Sequence, residues 1–138
     1  MSTVYSVDVR VTAPVHDTEV TDRVADAVTN IFPTADPSYE GDQIVAACHD
    51  MSHVSELLHR EEILDTARGV FLDTLDDDAF TFELNKQAAF EGRINFSVGG
   101  PAELGDIHVR VRVTEPSAEA FIDAIAPPTE DGAPIDTE

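Results

Sequence analysis

Tyr5, Val7, Val9 and Val11 alternate with Ser6, Asp8, Arg10 and Thr12, a period of two that predicts a strand with one buried face, ended by Pro14. Val20, Val24, Ala27, Val28 and Ile31 then recur at helical spacing, with Asp17 placed to cap the helix and Pro33 to stop it. Gln43 to Ala47, within Tyr39–Cys48, gives a weaker strand signal. A helix opens at Ser52 through Val54, Leu57 and Leu58. Its stripe resumes with shifted phase at Leu64, Ala67, Phe71, Leu72 and Leu75, which predicts a kink or break near Arg60 to Glu62.

The acidic turn Asp76-Asp77-Asp78 leads into a third alternation, Phe80, Phe82 and Leu84 against Thr81 and Glu83. Ile94, Phe96 and Val98 alternate again, Gly99-Gly100-Pro101 turns the chain, and Ile107, Val109, Val111 and Val113 form another strand. Pro116 and Ser117 start a last helix, with Ala118, Phe121, Ile122 and Ile125 on one face, closed by Pro127-Pro128. Strands buried on both faces would not alternate so regularly. The pattern therefore predicts a two-layer α+β domain over residues 1–128, mainly an antiparallel sheet with helices packed on one face, and a loosely held tail over 129–138.

The same alternation sends Asp8, Arg10, Thr81, Glu83, Arg93, Asn95, Ser97, His108, Arg110 and Arg112 to the face away from the helices. Four of the seven arginines would then share one surface, where a guanidinium can fork two bonds to a phosphate or stack on a base. The alternative is cross-strand pairing with Asp8 and Glu83 as ordinary sheet decoration, about 0.2 to 1 kcal/mol per pair. No aromatic residue falls on the outward positions, so the stacking platform of an RNA-recognition-motif sheet is missing.

Composition sharpens the contrast. The 138 residues carry 28 acidic and 8 basic side chains, a net charge of −20, and 42% are hydrophobic, ample for a core. Lys86 is the one lysine, and between Asn85 and Val113 four basic residues face three acids, while the remaining residues carry 4 basic and 25 acidic. Near-elimination of lysine suits a salt-saturated cytoplasm, where a Debye length of about 3 Å at 1 M silences repulsion between carboxylates. The alternative is an acidic protein of ordinary salt that avoids nucleic acid or engages a basic partner.

Chemistry-bearing motifs are sparse. Cys48, the single cysteine, cannot form an intramolecular disulfide, and no leader-like segment or apolar run of membrane-spanning length is present, so a cytoplasmic location with no membrane association is expected. His49 and His53 lie at i and i+4 beside Cys48 and Asp50 but are expected to be solvated, and Asp76 to Asp78 lack the ligand spacing of a calcium loop. No metal, cofactor or catalytic residue is expected, and Cys48 reads as a buried inert thiol. Asp65 and Arg68, at i and i+3, read as a surface helix pair.

Ile63-Leu64-Asp65-Thr66-Ala67-Arg68, Phe82 through Phe96, Leu104-Gly105-Asp106-Ile107 and Ile122 through Pro127 resemble, in that order, an archaeal family of uncharacterised proteins labelled an RNA-binding domain. The resemblance runs from Val4 to Ile135 and includes Asn30-Ile31-Phe32-Pro33. It implies a fold like that of ribosomal large-subunit protein five, RNA as partner and no catalytic residues; the acidic composition would make this a haloarchaeal member. Within the matched segment Asn85, Lys86, Gln87 and Arg93 can address phosphates, sugars or base edges. Equally, Asn85 and Gln87 can cap a local turn. The expectation is a non-enzymatic protein that contacts structured RNA through Asn85, Lys86, Gln87 and Arg93, with Arg10, Arg110 and Arg112 adding phosphate contacts. The competing expectation is an assembly subunit with a basic protein partner, its sheet face paired with a second copy.

Overall fold

A computed structural model describes residues 6–97, 106–130 and 133–134. Strand β1 (Ser6–Pro14) is followed by helix α1 (Thr21–Ile31), the hairpin β2 (Ser38–Glu40) and β3 (Gln43–Cys48), and helices α2 (Ser52–Arg60) and α3 (Leu64–Thr74). Then come β4 (Ala79–Asn85), the short helix α4 (Lys86–Phe90), β5 (Asp106–Glu115) and α5 (Ala118–Ile125). Five strands form one antiparallel sheet in the order β2-β3-β1-β5-β4. The helices form the second layer of the α+β fold expected from the alternation. Residues Thr129–Glu130 (β6) and Ala133–Pro134 (β7) pair as a separate two-stranded ribbon, and the Thr129 hydroxyl bonds to Asp65.

The inward rows Val7-Val9-Val11-Ala13, Phe80-Phe82-Leu84 and Ile107-Val109-Val111-Val113 are buried together with Val24, Val28 and Ile31 of α1, Phe71 of α3 and Ile122 of α5. Phe71 is the hinge of this core: its ring centroid lies 4.9 Å from those of both Phe80 and Phe82 and 5.8 Å from that of Phe96. Burying a phenylalanine removes about 150 to 250 Å² from water, so such a cluster dominates the packing energy.

Several local expectations shift. The helix after β1 starts at Thr21, not near Asp17, because Glu19 turns back to accept the His16 amide at 2.9 Å. The weak strand over 39–48 is a hairpin turned at Gly41, whose φ of 67° favours glycine. The break near Arg60 to Glu62 is real, with Glu62 at φ 57° between two separate helices. The strand expected through Ile94, Phe96 and Val98 reduces to a single bridge between Leu84 and Phe96; Val98 and the turn Gly99-Gly100-Pro101 lie outside the described residues.

That bridge helps cover the outer edge of β4, since Asn85 N–H donates to Asn95 at 2.8 Å and Ser97 N–H to Glu83 at 2.9 Å. Thr74 closes the other end, its hydroxyl donating to the Thr81 carbonyl at 2.7 Å and accepting from the Thr81 amide at 3.1 Å. Exposed ladder groups invite pairing with another chain. At β4 several of them are taken.

Candidate nucleic-acid interface

The register of β1, β5 and β4 decides which cations meet. Arg10 stands directly opposite Arg110, which stands opposite Thr81. The adjacent rows place Thr12 against His108 and His108 against Glu83, and Asp8 against Arg112. All these side chains project from the face without helices, as the alternation predicted. Arg10, Thr12, Thr81, Glu83, His108 and Arg110 surround a shallow depression of about 360 Å³.

Three carboxylates beside this face have close partners. Arg112 Nε donates to Asp78 at 3.0 Å, His108 Nδ1 lies 3.1 Å from Glu83, and His49 Nδ1 lies 3.2 Å from Asp8 and 2.9 Å from the Val7 carbonyl. Arg10 and Arg110 are exposed and have no carboxylate partner among the described residues. Two arginines without a carboxylate partner thus stand directly opposite each other across a strand pair. Directly opposed β-carbons lie about 4.5 to 5.5 Å apart, and like charges at that position are destabilising.

The segment around Lys86 is built differently from the sequence expectation. Lys86 is 1% exposed; its ammonium donates to the Pro14 carbonyl at 2.5 Å and to Glu19 at 3.0 Å, and Glu19 is itself only 6% exposed. A lysine whose charge is committed inside the fold cannot present it to a surface ligand. Lys86 is therefore an internal tie between α4 and the segment after β1. The nearly charge-balanced stretch around it in sequence does not mark a surface patch.

Asn85 caps α4, its side-chain oxygen accepting from the Ala88 amide at 3.0 Å, which is the local-turn role rather than a ligand-facing one. Gln87 is exposed on α4. Arg93 is exposed but lies outside the strands, its Nε 3.8 Å from Glu61 just past the end of α2, so it belongs to the helical side and not to the open face. Three arginines share that face, where four were expected. The failure has a simple cause: residues 86–92 fold as a helix and turn, which breaks the strand alternation assumed through Arg93.

Elsewhere, Arg68 bonds to Asp123 at 2.6 Å and to the Ala126 carbonyl at 3.2 Å, tying α3 to α5, while Asp65 accepts from Thr129; the expected Asp65–Arg68 pair is replaced by longer-range contacts. Cys48 is buried, and that burial pushes its thiol pKa up. Among the described residues no three His, Cys, Asp or Glu side chains converge as metal ligands, and no helix is long and apolar enough to cross a membrane.

The unpaired cross-strand arginines are the feature that the sequence alone did not isolate. Alternation put both on one face; only the register makes them neighbours.

Comparison with known proteins places this fold. A family model described as RNA binding matches residues 8–113, which span β4 and most of β1 and β5. The chain is 37% identical over 132 residues to a UPF0200/UPF0201 protein of Archaeoglobus fulgidus, covering 94% of this chain but 40% of that protein's length. It is 33% identical over 138 residues to a UPF0201 protein of Thermococcus kodakarensis, covering 94% of this chain and 96% of the relative. The crystal structure of a UPF0201 protein from Methanococcus jannaschii superposes with a TM-score of 0.87 at 33% identity, over 94% of this chain and 99% of the other. The chain belongs to the archaeal UPF0201 family, whose model carries the description RNA binding.

Proposed function

We propose that this protein binds structured RNA without catalysing a reaction, through the sheet face centred on Arg10 and Arg110. The observation that carries the reading is the pair of guanidinium groups left unmatched in a chain of net charge −20. The family description supports RNA as the partner class. The antiparallel sheet backed by helices on one side suits the ribosomal protein five type of arrangement. Without outward aromatics, the face offers charge and hydrogen bonds in place of base stacking, which favours backbone and shape recognition of folded RNA.

The acidic remainder sets the conditions. At low salt a charge of −20 repels a polyanion; in molar salt that repulsion is screened, while contact bonds between arginine and phosphate persist. A haloarchaeal setting of about 2 M KCl is part of the proposal. Few phosphates are neutralised, so the logarithmic salt slope should be no steeper than about −2.

The test is fluorescence anisotropy with folded archaeal RNA in about 2 M KCl. Each charge-assisted bond contributes about 1.5 to 3 kcal/mol, so Arg10→Ala with Arg110→Ala should weaken binding roughly 100-fold or more. Unchanged affinity in the double variant removes the assigned face. Co-purification of a stoichiometric, nuclease-resistant protein in place of RNA would favour the assembly role.

A further inference from the structure

We infer that Arg10 and Arg110 form a clamp for one terminal phosphomonoester, so that the protein grips an RNA end rather than tracking along a backbone. This rests on the RNA-binding reading and narrows its ligand.

The positive charge of this face is confined to one place. A protein that follows a nucleic-acid backbone needs a row of available cations. Here Arg112, on the neighbouring row, is held by Asp78, Arg93 lies by Glu61, and Lys86 is buried, so no row extends from the Arg10–Arg110 pair. The positive site is a point within an acidic molecule. An internal phosphate would bring charged neighbours from both sides over that acidic surface; a chain end brings them from one.

Each guanidinium is a planar fork suited to two parallel bonds. An internal phosphodiester carries one negative charge and two unesterified oxygens. A terminal phosphomonoester carries about −1.5 to −2 and three such oxygens, enough to neutralise both guanidinium groups and accept from both forks. Thr12 and Thr81 border the depression with hydroxyl donors, and its volume of about 360 Å³ suits one such group with its hydration. Glu83 also borders it, with His108 at 3.1 Å, and bounds the positive region on that side.

Two like charges placed directly opposite each other weaken a sheet, and threonine or valine would serve either position better. An anion bound between them removes the repulsion. Unliganded, the arrangement is a cost to the fold.

The experiment uses the full chain and one hairpin RNA made with a 5′-phosphate, a 3′-phosphate or hydroxyl ends, titrated by anisotropy in about 2 M KCl. One phosphorylated form should bind at least about tenfold tighter than the hydroxyl form, and Arg110→Thr or Arg10→Thr should abolish the difference. Which phosphate is preferred identifies the end that is held. Equal affinity for all three forms overturns the clamp while leaving RNA binding intact.

If no form binds, the RNA reading fails and the phosphate site is decided by thermal denaturation. Inorganic phosphate or adenosine 5′-monophosphate should then raise the melting temperature of the native protein and leave Arg110→Thr unmoved; a shift in neither overturns the clamp as well. Arg110→Thr should itself melt about 1 to 3 °C higher without phosphate, because the opposed charge is gone.

Discussion

Lys86→Ala separates an internal role for the lone lysine from a surface one. Its ammonium sits within hydrogen-bond reach of the Pro14 carbonyl and both Glu19 oxygens, at 2.5, 3.0 and 3.4 Å. Glu19 Oε1 also receives the His16 amide at 2.9 Å, so the carboxylate organises the approach to α1. Removing the ammonium strands a nearly buried carboxylate and a carbonyl, and empties the space of a side chain that is 1% exposed. Breaking one side of a buried ion pair costs about 3 to 5 kcal/mol. Against a typical domain stability of about 5 to 15 kcal/mol this is a large fraction, equivalent to a fall of roughly 10 to 20 °C in melting temperature. Urea denaturation followed by circular dichroism, at low salt and in about 2 M KCl, measures it; an interior pair is poorly screened, so the loss should be similar in both. Lys86→Met with Glu19→Leu should recover much of the stability, since apolar replacement of a whole buried pair is often neutral or favourable. A folded Lys86→Ala variant of ordinary stability that no longer binds RNA would refute the internal assignment.

Asn85→Ala should cost about 1 kcal/mol in denaturant unfolding by removing the α4 cap, and its effect should be non-additive with Lys86→Ala because Asn85 caps the helix that Lys86 begins. Burial raises the Cys48 thiol above its ordinary value near 9.0, so its contribution to stability is complete below that pH, where the thiol is protonated folded or unfolded. As pH climbs from there through the raised folded value, the unfolded chain ionises first and stability falls; a melting-temperature profile of Cys48→Ala should lack that component. Glu83→Gln removes a negative charge beside the arginine depression. At a separation of about 6 Å in water the charge is worth about 0.7 kcal/mol, so RNA affinity measured at low salt should rise about threefold, with little change in molar KCl.

Periodicity exposed the two-layer architecture because each long strand is wet on one face only, and the phase shift after Leu58 was enough to place the break between α2 and α3. Alternation also assigned Arg10, Arg110 and Arg112 to a common face. It could not say that Arg10 sits opposite Arg110, since register depends on pairing between segments about 100 residues apart. Lys86 misled for a different reason. Lysine is rarely buried, so its place in a charge-balanced stretch read as an exposed patch, and nothing local revealed that Glu19 would enclose it. Arg93 was misplaced because alternation was carried across a segment that forms α4.

The pattern of pairing gives the arginine couple its weight. Eight cations share a molecule with 28 carboxylates, yet Arg10, Arg23, Arg60 and Arg110 have no carboxylate partner among the described residues. Lys86 meets Glu19, Arg68 meets Asp123, Arg93 approaches Glu61 and Arg112 meets Asp78, while Arg23 lies 5.8 Å over the Phe90 ring. Arg60 ends α2, where the helix dipole favours positive charge. Arg10 and Arg110 differ from Arg23 and Arg60 in standing directly opposite each other across a strand pair, with helical cover absent. The nearby carboxylates Asp8, Asp78 and Glu83 are turned to His49, Arg112 and His108 instead. Electrostatics within the chain would favour the opposite arrangement, with a carboxylate between the guanidinium groups. On the proposed reading an anion supplied from outside satisfies the same pair, so the register of β1 against β5 is what creates the binding site.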